Sequence, residues 1–289
     1  MSGVSTPDDF AYALDPVLFG ESIGFTPYKW QSDFLRASHQ RVLLNCSRGA
    51  GKSSACALLA AHRALFYPDS LILVISPSER QSNELFRTIN GFLDHLEVPP
   101  VKIEDLKTSF KLINSSRVVA LPGSEGSIRG FQGVDLLLID EASRCQSELI
   151  QSVTPMIGTS GGRIVLLSTP WGKRGYYFEA WSTGGDDWYR FEVPASECPR
   201  LGKEFLESER RSLGEYHYRQ EYECQFSETR DAVFSYESIQ AALSDDITPL
   251  FSERTEDTNG GTVDDTPVTP EEYRPAMAVR QCYTPFRGL

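Results

Sequence analysis

The stretch Cys46-Ser-Arg-Gly-Ala-Gly-Lys-Ser-Ser54 constrains this chain more than any other, because of what stands on either side of it. An apolar run, Arg41-Val-Leu-Leu-Asn45, precedes it, and Ala55-Cys-Ala-Leu-Leu-Ala-Ala61 follows. A glycine-bearing loop between a strand and a helix start turns successive backbone N–H groups toward one point, at the positive end of the helix dipole. That arrangement cradles a polyphosphate and demands an α/β fold. The N–H groups from Gly49 to Ser53 are expected to converge on phosphate oxygens. Lys52 would neutralise the β- and γ-phosphates, and the Ser53 hydroxyl would ligate Mg²⁺. Ser47, Arg48, Gly49, Ala50, Gly51, Lys52, Ser53 and Ser54 are thus the candidate ATP contacts. One position departs from the usual G-x-x-x-x-G-K-[ST] pattern, since Cys46 stands where the leading glycine belongs.

A second stretch, Val134-Asp-Leu-Leu-Leu-Ile-Asp140-Glu141, reads as a buried strand ending in adjacent carboxylates. Strands of α/β sheets aim their C-terminal ends at the crevice where ligands bind. Asp140 there would hold the Mg²⁺ shell, and Glu141 would polarise an attacking water as general base. A glutamate directly after the metal-binding aspartate separates hydrolytic motors of the additional-strand class from nucleotide switches. The two stretches together imply ATP hydrolysis.

Charge needs to be read by region. Of the formal net charge of −12, the span from Asp245 to Glu272 carries −8, with nine acids against Arg254 alone, which leaves −4 for everything else. A local basic surface for nucleic acid is therefore compatible with the acidic total. No run of about 18 apolar residues suggests a membrane span. The opening Met-Ser-Gly-Val-Ser-Thr-Pro-Asp-Asp-Phe lacks the basic end and apolar centre of a secretory signal. Six cysteines without a C-x-x-C pair point to reduced thiols in a cytoplasm.

Periodicity predicts helices over 28–37, 52–66 and 78–95, and strands over 41–46, 71–76, 135–139, 163–168 and 188–193. Segments 109–113 and 117–121, joined by Asn114-Ser-Ser, read as a hairpin. Such alternation predicts a mainly parallel sheet flanked by helices. The expected organisation is a P-loop ATPase core over 1–200, a small helical lid subdomain over 201–243 and an acidic flexible linker over 244–275.

Further motifs extend the pattern: Phe25-Thr-Pro-Tyr28-Lys-Trp30-Gln31, Ser127-Ile-Arg129-Gly130, Leu167-Ser168-Thr169-Pro170-Trp-Gly-Lys-Arg-Gly-Tyr-Tyr, and Tyr218-Arg-Gln220-Glu221-Tyr222-Glu-Cys-Gln-Phe226. In this order, over roughly residues 20–245, the chain resembles the ATPase domain of the large terminase subunit of tailed bacteriophages, a RecA-like fold. The resemblance implies that Gln31 reads the adenine edge while Tyr28 or Trp30 packs on the base. It implies that Arg48 senses the γ-phosphate, and that Arg129 acts as a finger on a neighbouring subunit's ATP, with Arg144 the rival. Ser168 and Thr169 resemble the motif that couples loss of the γ-phosphate to movement. Arg80 and Gln81 resemble a segment facing DNA, although a solvated helix face explains them as well.

The resemblance further implies a motor that moves double-stranded DNA into a procapsid, in the host cell cytoplasm and docked transiently on a portal protein. Its other partners would be a small terminase subunit and further copies of itself, in a ring that the resemblance makes a pentamer when active, with a monomer in isolation. No membrane is involved. Family members continue into a nuclease domain, of which 276–289 would be the opening edge. The expectation is therefore no intrinsic nuclease activity. The alternative is a helicase-like or other DNA-stimulated ATPase working with a partner chain, and a third reading is a binding module using ATP as a switch, against which Glu141 argues.

Overall fold

The computed structural model describes residues 7–123 and 130–228. The described residues form one compact unit; a second unit, Ala242–Leu289, lies outside them, and with it the expected linker and the nuclease edge. Three helices open the chain: α1 (Pro7–Leu14), α2 (Pro16–Ser22) and α3 (Lys29–Arg36). Strand β1 (Arg41–Cys46) then leads into helix α4 (Lys52–Phe66), and β2 (Leu71–Ser76) into α5 (Glu79–Asp94). Strands β3 (Lys102–Asp105), β4 (Ser109–Leu112) and β5 (Arg117–Pro122) follow, then β6 (Leu136–Asp140), α6 (Ser147–Val153), β7 (Arg163–Ser168), α7 (Gly175–Ser182), β8 (Tyr189–Val193) and α8 (Lys203–Tyr222).

The eight strands form one sheet in the order β3-β4-β5-β2-β6-β7-β1-β8, parallel from β5 to β8, with β3 and β4 antiparallel at one edge. Strand β7 separates the loop-bearing β1 from the acid-bearing β6. This is the additional strand that the adjacent carboxylates predicted. The parallel strands read as unbroken apolar runs because both faces are covered. On one face Val42, Leu44, Ile72, Val74, Leu138 and Val165 pack with α4 and α5. On the other, Leu43, Leu73, Ile75, Leu137, Ile139 and Ile164 pack with α6 and α7. Side chains alternate across a strand, so each run supplies both cores.

The predicted bounds of β1, α4, β2 and β7 agree with those observed, and the hairpin of β4 and β5 turns at the expected residues. The expected lid is represented by α8, broken at Gly214, whose φ of 74° lies in the left-handed region; residues 229–243 lie outside the described residues. Among the described residues no helix is long and apolar enough to cross a membrane.

Candidate functional site

The loop after β1 is held from two sides. Ser47 N–H donates to the Val193 carbonyl (2.9 Å), and Arg48 N–H to the Glu221 carbonyl (2.7 Å). Gly49 and Gly51 both take left-handed backbone, with φ of 79° and 89°, which a side chain would resist. Gly51 caps α4, so the N–H groups of Lys52, Ser53 and Ser54 have no intrahelical acceptor and face the loop's concavity. Ala50 N–H instead donates to Ser47 O at 3.2 Å, which withdraws one of the donors expected to converge.

Cys46 has a physical explanation. It is the last residue of β1, fully buried in the core, and burial holds its thiol well above the usual range. Its φ is not positive, so glycine is not required where the strand itself fills the position. Ser47 departs from the expected phosphate contact. It too is fully buried, its N–H is taken by β8, and its hydroxyl lies 3.6 Å from Cys198 Sγ, so it roots the loop rather than lining it.

Across the crevice, β6 delivers Asp140 and Glu141. Asp140 is only 8% exposed; burial, then the Glu141 charge, pushes its carboxyl up to about 6, against the opposing pull of Lys52 and the Glu141 N–H. Glu141 takes left-handed backbone (φ 50°), a strained state for a residue with a side chain. The turn places its carboxylate 3.9 Å from Lys52 Nζ, 3.9 Å from Arg144 Nε and 3.4 Å from Ser168 Oγ. Ser53, Asp140 and Glu141 share a cleft of about 330 Å³ with Arg80, Gln81 and Glu84 at the start of α5. Arg80 and Gln81, read in the sequence as a DNA-facing segment, thus stand opposite the carboxylates.

A buried carboxyl that forms no salt bridge among the described residues and a helix-start hydroxyl in the same cleft suit a hard cation. No cluster of three or more His, Cys, Asp or Glu suited to a metal occurs among the described residues. A cation here would draw on Ser53, Asp140 and non-protein oxygens, the pattern Mg²⁺ favours.

The end of β7 is tied to the turn that follows Glu141 by Ser143, which the sequence did not single out. Its hydroxyl lies 2.7 Å from Ser168 Oγ and donates to the Thr169 carbonyl at 2.8 Å. Ser168 and Thr169 are buried. Arg144 stacks on Trp171 at 3.8 Å and reaches Glu221 at 3.5 Å as well as Glu141, so it is engaged within its own chain. Arg129 lies outside the described residues.

Gln31 is brought to the loop, but its amide is engaged internally: Nε2 donates to the Gly51 carbonyl (3.1 Å) and Oε1 accepts from Tyr28 N–H (2.8 Å). It braces the loop against α3 and leaves one N–H and one lone pair for a base. Tyr28 is half-buried beside it, and Trp30, also half-buried, packs against the core on one side. Arg48 is exposed.

Known proteins resemble this chain in sequence and in fold. Residues 43–241 match the family model described as terminase large subunit, T4likevirus-type, N-terminal. The terminase large subunit of Escherichia phage T5 is 22% identical over 249 residues, covering 80% of this chain and 56% of that protein. That of Thermus phage G20c is 21% identical, covering 75% and 52%. The chain thus spans about half the length of these curated relatives. The large terminase ATPase domain of Thermus phage P74-26 superposes with a TM-score of 0.63 at 21% identity, covering 72% of this chain and 97% of that one. The large terminase of a thermophilic bacteriophage, in complex with ATP-gamma-S, gives 0.56 at 12% identity, covering 68% and 51%.

Proposed function

This chain belongs to the terminase large subunit family, and from that premise we propose that it is the ATP-hydrolysing part of a motor that drives double-stranded viral DNA into a procapsid. The observation that carries the reading is the position of Glu141, between the loop lysine and the β7 hydroxyl. A general base beside the phosphate cradle hydrolyses; a hydroxyl on that base reports the result to the next strand.

Each residue has a distinct task. Gly49, Gly51 and the free N–H groups at the start of α4 receive the phosphates, and Lys52 neutralises them. Ser53 and Asp140 would hold Mg²⁺, which when bound supplies charge stabilisation at the phosphate oxygens. Glu141 orients a water and takes its proton. Ser168 and Thr169, latched by Ser143, carry the change in Glu141 into β7. Arg48 serves the γ-phosphate side, and Gln31 and Tyr28 the adenine. The trans-acting arginine is Arg129, because Arg144 is occupied in cis. Active assembly is a ring of copies, pentameric in this reading, on a portal protein in the host cytoplasm, with a small terminase subunit as DNA-delivering partner.

The test is ATP turnover with and without double-stranded DNA over a range of protein concentrations. The parent should be stimulated by DNA and show rising specific activity with concentration, as a site completed by a neighbour requires. Glu141→Gln should bind nucleotide normally and lose at least about 100-fold in turnover. Turnover at the parent rate in that variant would sink the mechanism.

A further inference from the structure

A larger cavity, of about 590 Å³, opens at the opposite end of the strands from the catalytic cleft. Its lining includes Asp135 and Leu136 at the start of β6 and Arg163 at the start of β7, with Arg63 from the last turn of α4. The strands are five or six residues long, so roughly 17–20 Å of sheet separates it from the phosphate cradle. Nothing in the proposed hydrolysis uses it.

Its charges are unevenly matched. Arg36 is paired tightly with Asp15 at 2.6 Å. Arg63 reaches Asp135 at 3.4 Å, while Asp135 also accepts the Leu71 N–H, and its guanidinium lies over the Tyr67 ring at 4.0 Å. Arg163 has no carboxylate partner among the described residues; Nη2 donates to the Phe34 carbonyl at 3.3 Å and the group sits 5.1 Å from the Phe34 ring. The Nε atoms of Arg63 and Arg163 are both buried with no hydrogen-bond acceptor. A guanidinium has five donors, and burying them unmet is costly. Burial, and the like charge of Arg63, pull the Arg163 pKa down to about 10, although it stays charged at neutral pH. Three arginines thus face two carboxylates, and two guanidiniums remain short of acceptors.

We propose that this cavity binds a phosphate-bearing small molecule, its phosphate held between Arg63 and Arg163. A phosphate brings close to two negative charges and three acceptor oxygens, which two under-satisfied guanidiniums match better than one carboxylate does. The volume falls in the range of small-molecule pockets, and the leucines and Tyr67 of the lining give an organic portion an apolar wall.

The probe is inorganic phosphate, titrated at constant ionic strength and followed by the Nε–Hε NMR signals of Arg63 and Arg163, assigned through the backbone. Because the loop also takes phosphate, the titration is run on the parent and on Lys52→Ala. The expected result is saturable shifts of both signals with the same midpoint in the two proteins, weakened at least tenfold by Arg163→Lys or Arg63→Lys. Those variants keep the charge and lose the planar fork. Shifts that grow linearly without saturating, or that vanish in Lys52→Ala, would overturn the proposal, as would insensitivity to both arginine replacements. The comparison of parent with Lys52→Ala decides the matter even where an arginine variant fails to fold.

Discussion

An ionised Asp140 costs the folded protein stability unless a positive charge meets it. Its carboxyl titrates at about 6 in the folded chain, chiefly through burial, against an ordinary value of 3.8. Between those values the folded state keeps a proton that the unfolded state has lost, so the penalty is absent below about pH 4 and complete above about pH 6.5. The difference corresponds to at most about 3 kcal/mol, at about 1.4 kcal/mol per pH unit. Asp140→Asn cannot titrate. Asparagine can still accept the Glu141 N–H bond, which is 3.0 Å long here, but buries an unmet N–H₂ group at a cost independent of pH. The informative quantity is therefore the stability difference between variant and parent as pH changes, from which that constant cost cancels. Thermal unfolding in EDTA, from pH 4 to pH 7.5, should show the variant gaining on the parent by roughly 5 °C or more, at about 2–4 °C per kcal/mol for a domain of this size. With Mg²⁺ and a non-hydrolysable ATP analogue the order should reverse, because only the parent offers the cation a carboxylate. A difference that stays flat across the pH range would refute the claim that Asp140 is held against its own charge.

Three other substitutions probe the remaining geometry. Gly51→Ala must adopt φ near 89° and place a Cβ 2.8 Å from Gln31 Nε2; a loss of about 1–3 kcal/mol in urea unfolding is expected, with nucleotide affinity down at least tenfold by fluorescence titration. Ser143→Ala removes the hydroxyl shared by Ser168 and the Thr169 carbonyl. It should cost about 1–2 kcal/mol and lower turnover with nucleotide affinity unchanged. Arg144→Gln should change stability by less than about 1 kcal/mol, since its ion pairs are part-exposed, and should lower turnover several-fold by the same factor at every protein concentration. An effect confined to high concentration would instead mark Arg144 as the arginine acting on a neighbour.

The sequence made legible whatever follows from local pattern. Strands β1, β2 and β7 each carry an apolar run that gives way to a polar residue, Asn45, Ser76 and Ser168, and α4 begins where Gly51 permits a left-handed residue, so their limits could be read directly. Strand β3, Lys-Ile-Glu-Asp, could not be read, because it is mostly polar and is a strand only through its pairing with β4. Helices α1 and α2 are each about two turns long, too short for periodicity to stand out. In the site, residue types carried the loop and the two carboxylates, since the chemistry itself restricts them. The partners did not show. The packing of Trp30 on the core comes from residues distant in sequence, and Ser143 looked like any serine until the turn at Glu141 brought it to the end of β7.

The segment that the sequence set apart as a lid is bound into the cradle at several points. The Glu221 carbonyl, in α8, accepts the Arg48 N–H, while the Glu221 carboxylate reaches Arg144, which in turn reaches Glu141. Two residues after α8, the Cys224 carbonyl accepts from Asn45 Nδ2 at the end of β1. The loop after β1, Glu141 and α8 are therefore joined through one residue and its neighbours. Arg144 thus ties the Glu141 carboxylate to the same helix turn that holds the loop backbone. Gly214, eight residues before the end of that helix and in left-handed backbone, divides it into two segments. The two segments stay packed on each other: Tyr222 Oη donates to Glu209 at 2.8 Å, Phe205 meets the Tyr222 ring edge-on, and Arg210 lies over the Tyr218 ring at 4.3 Å.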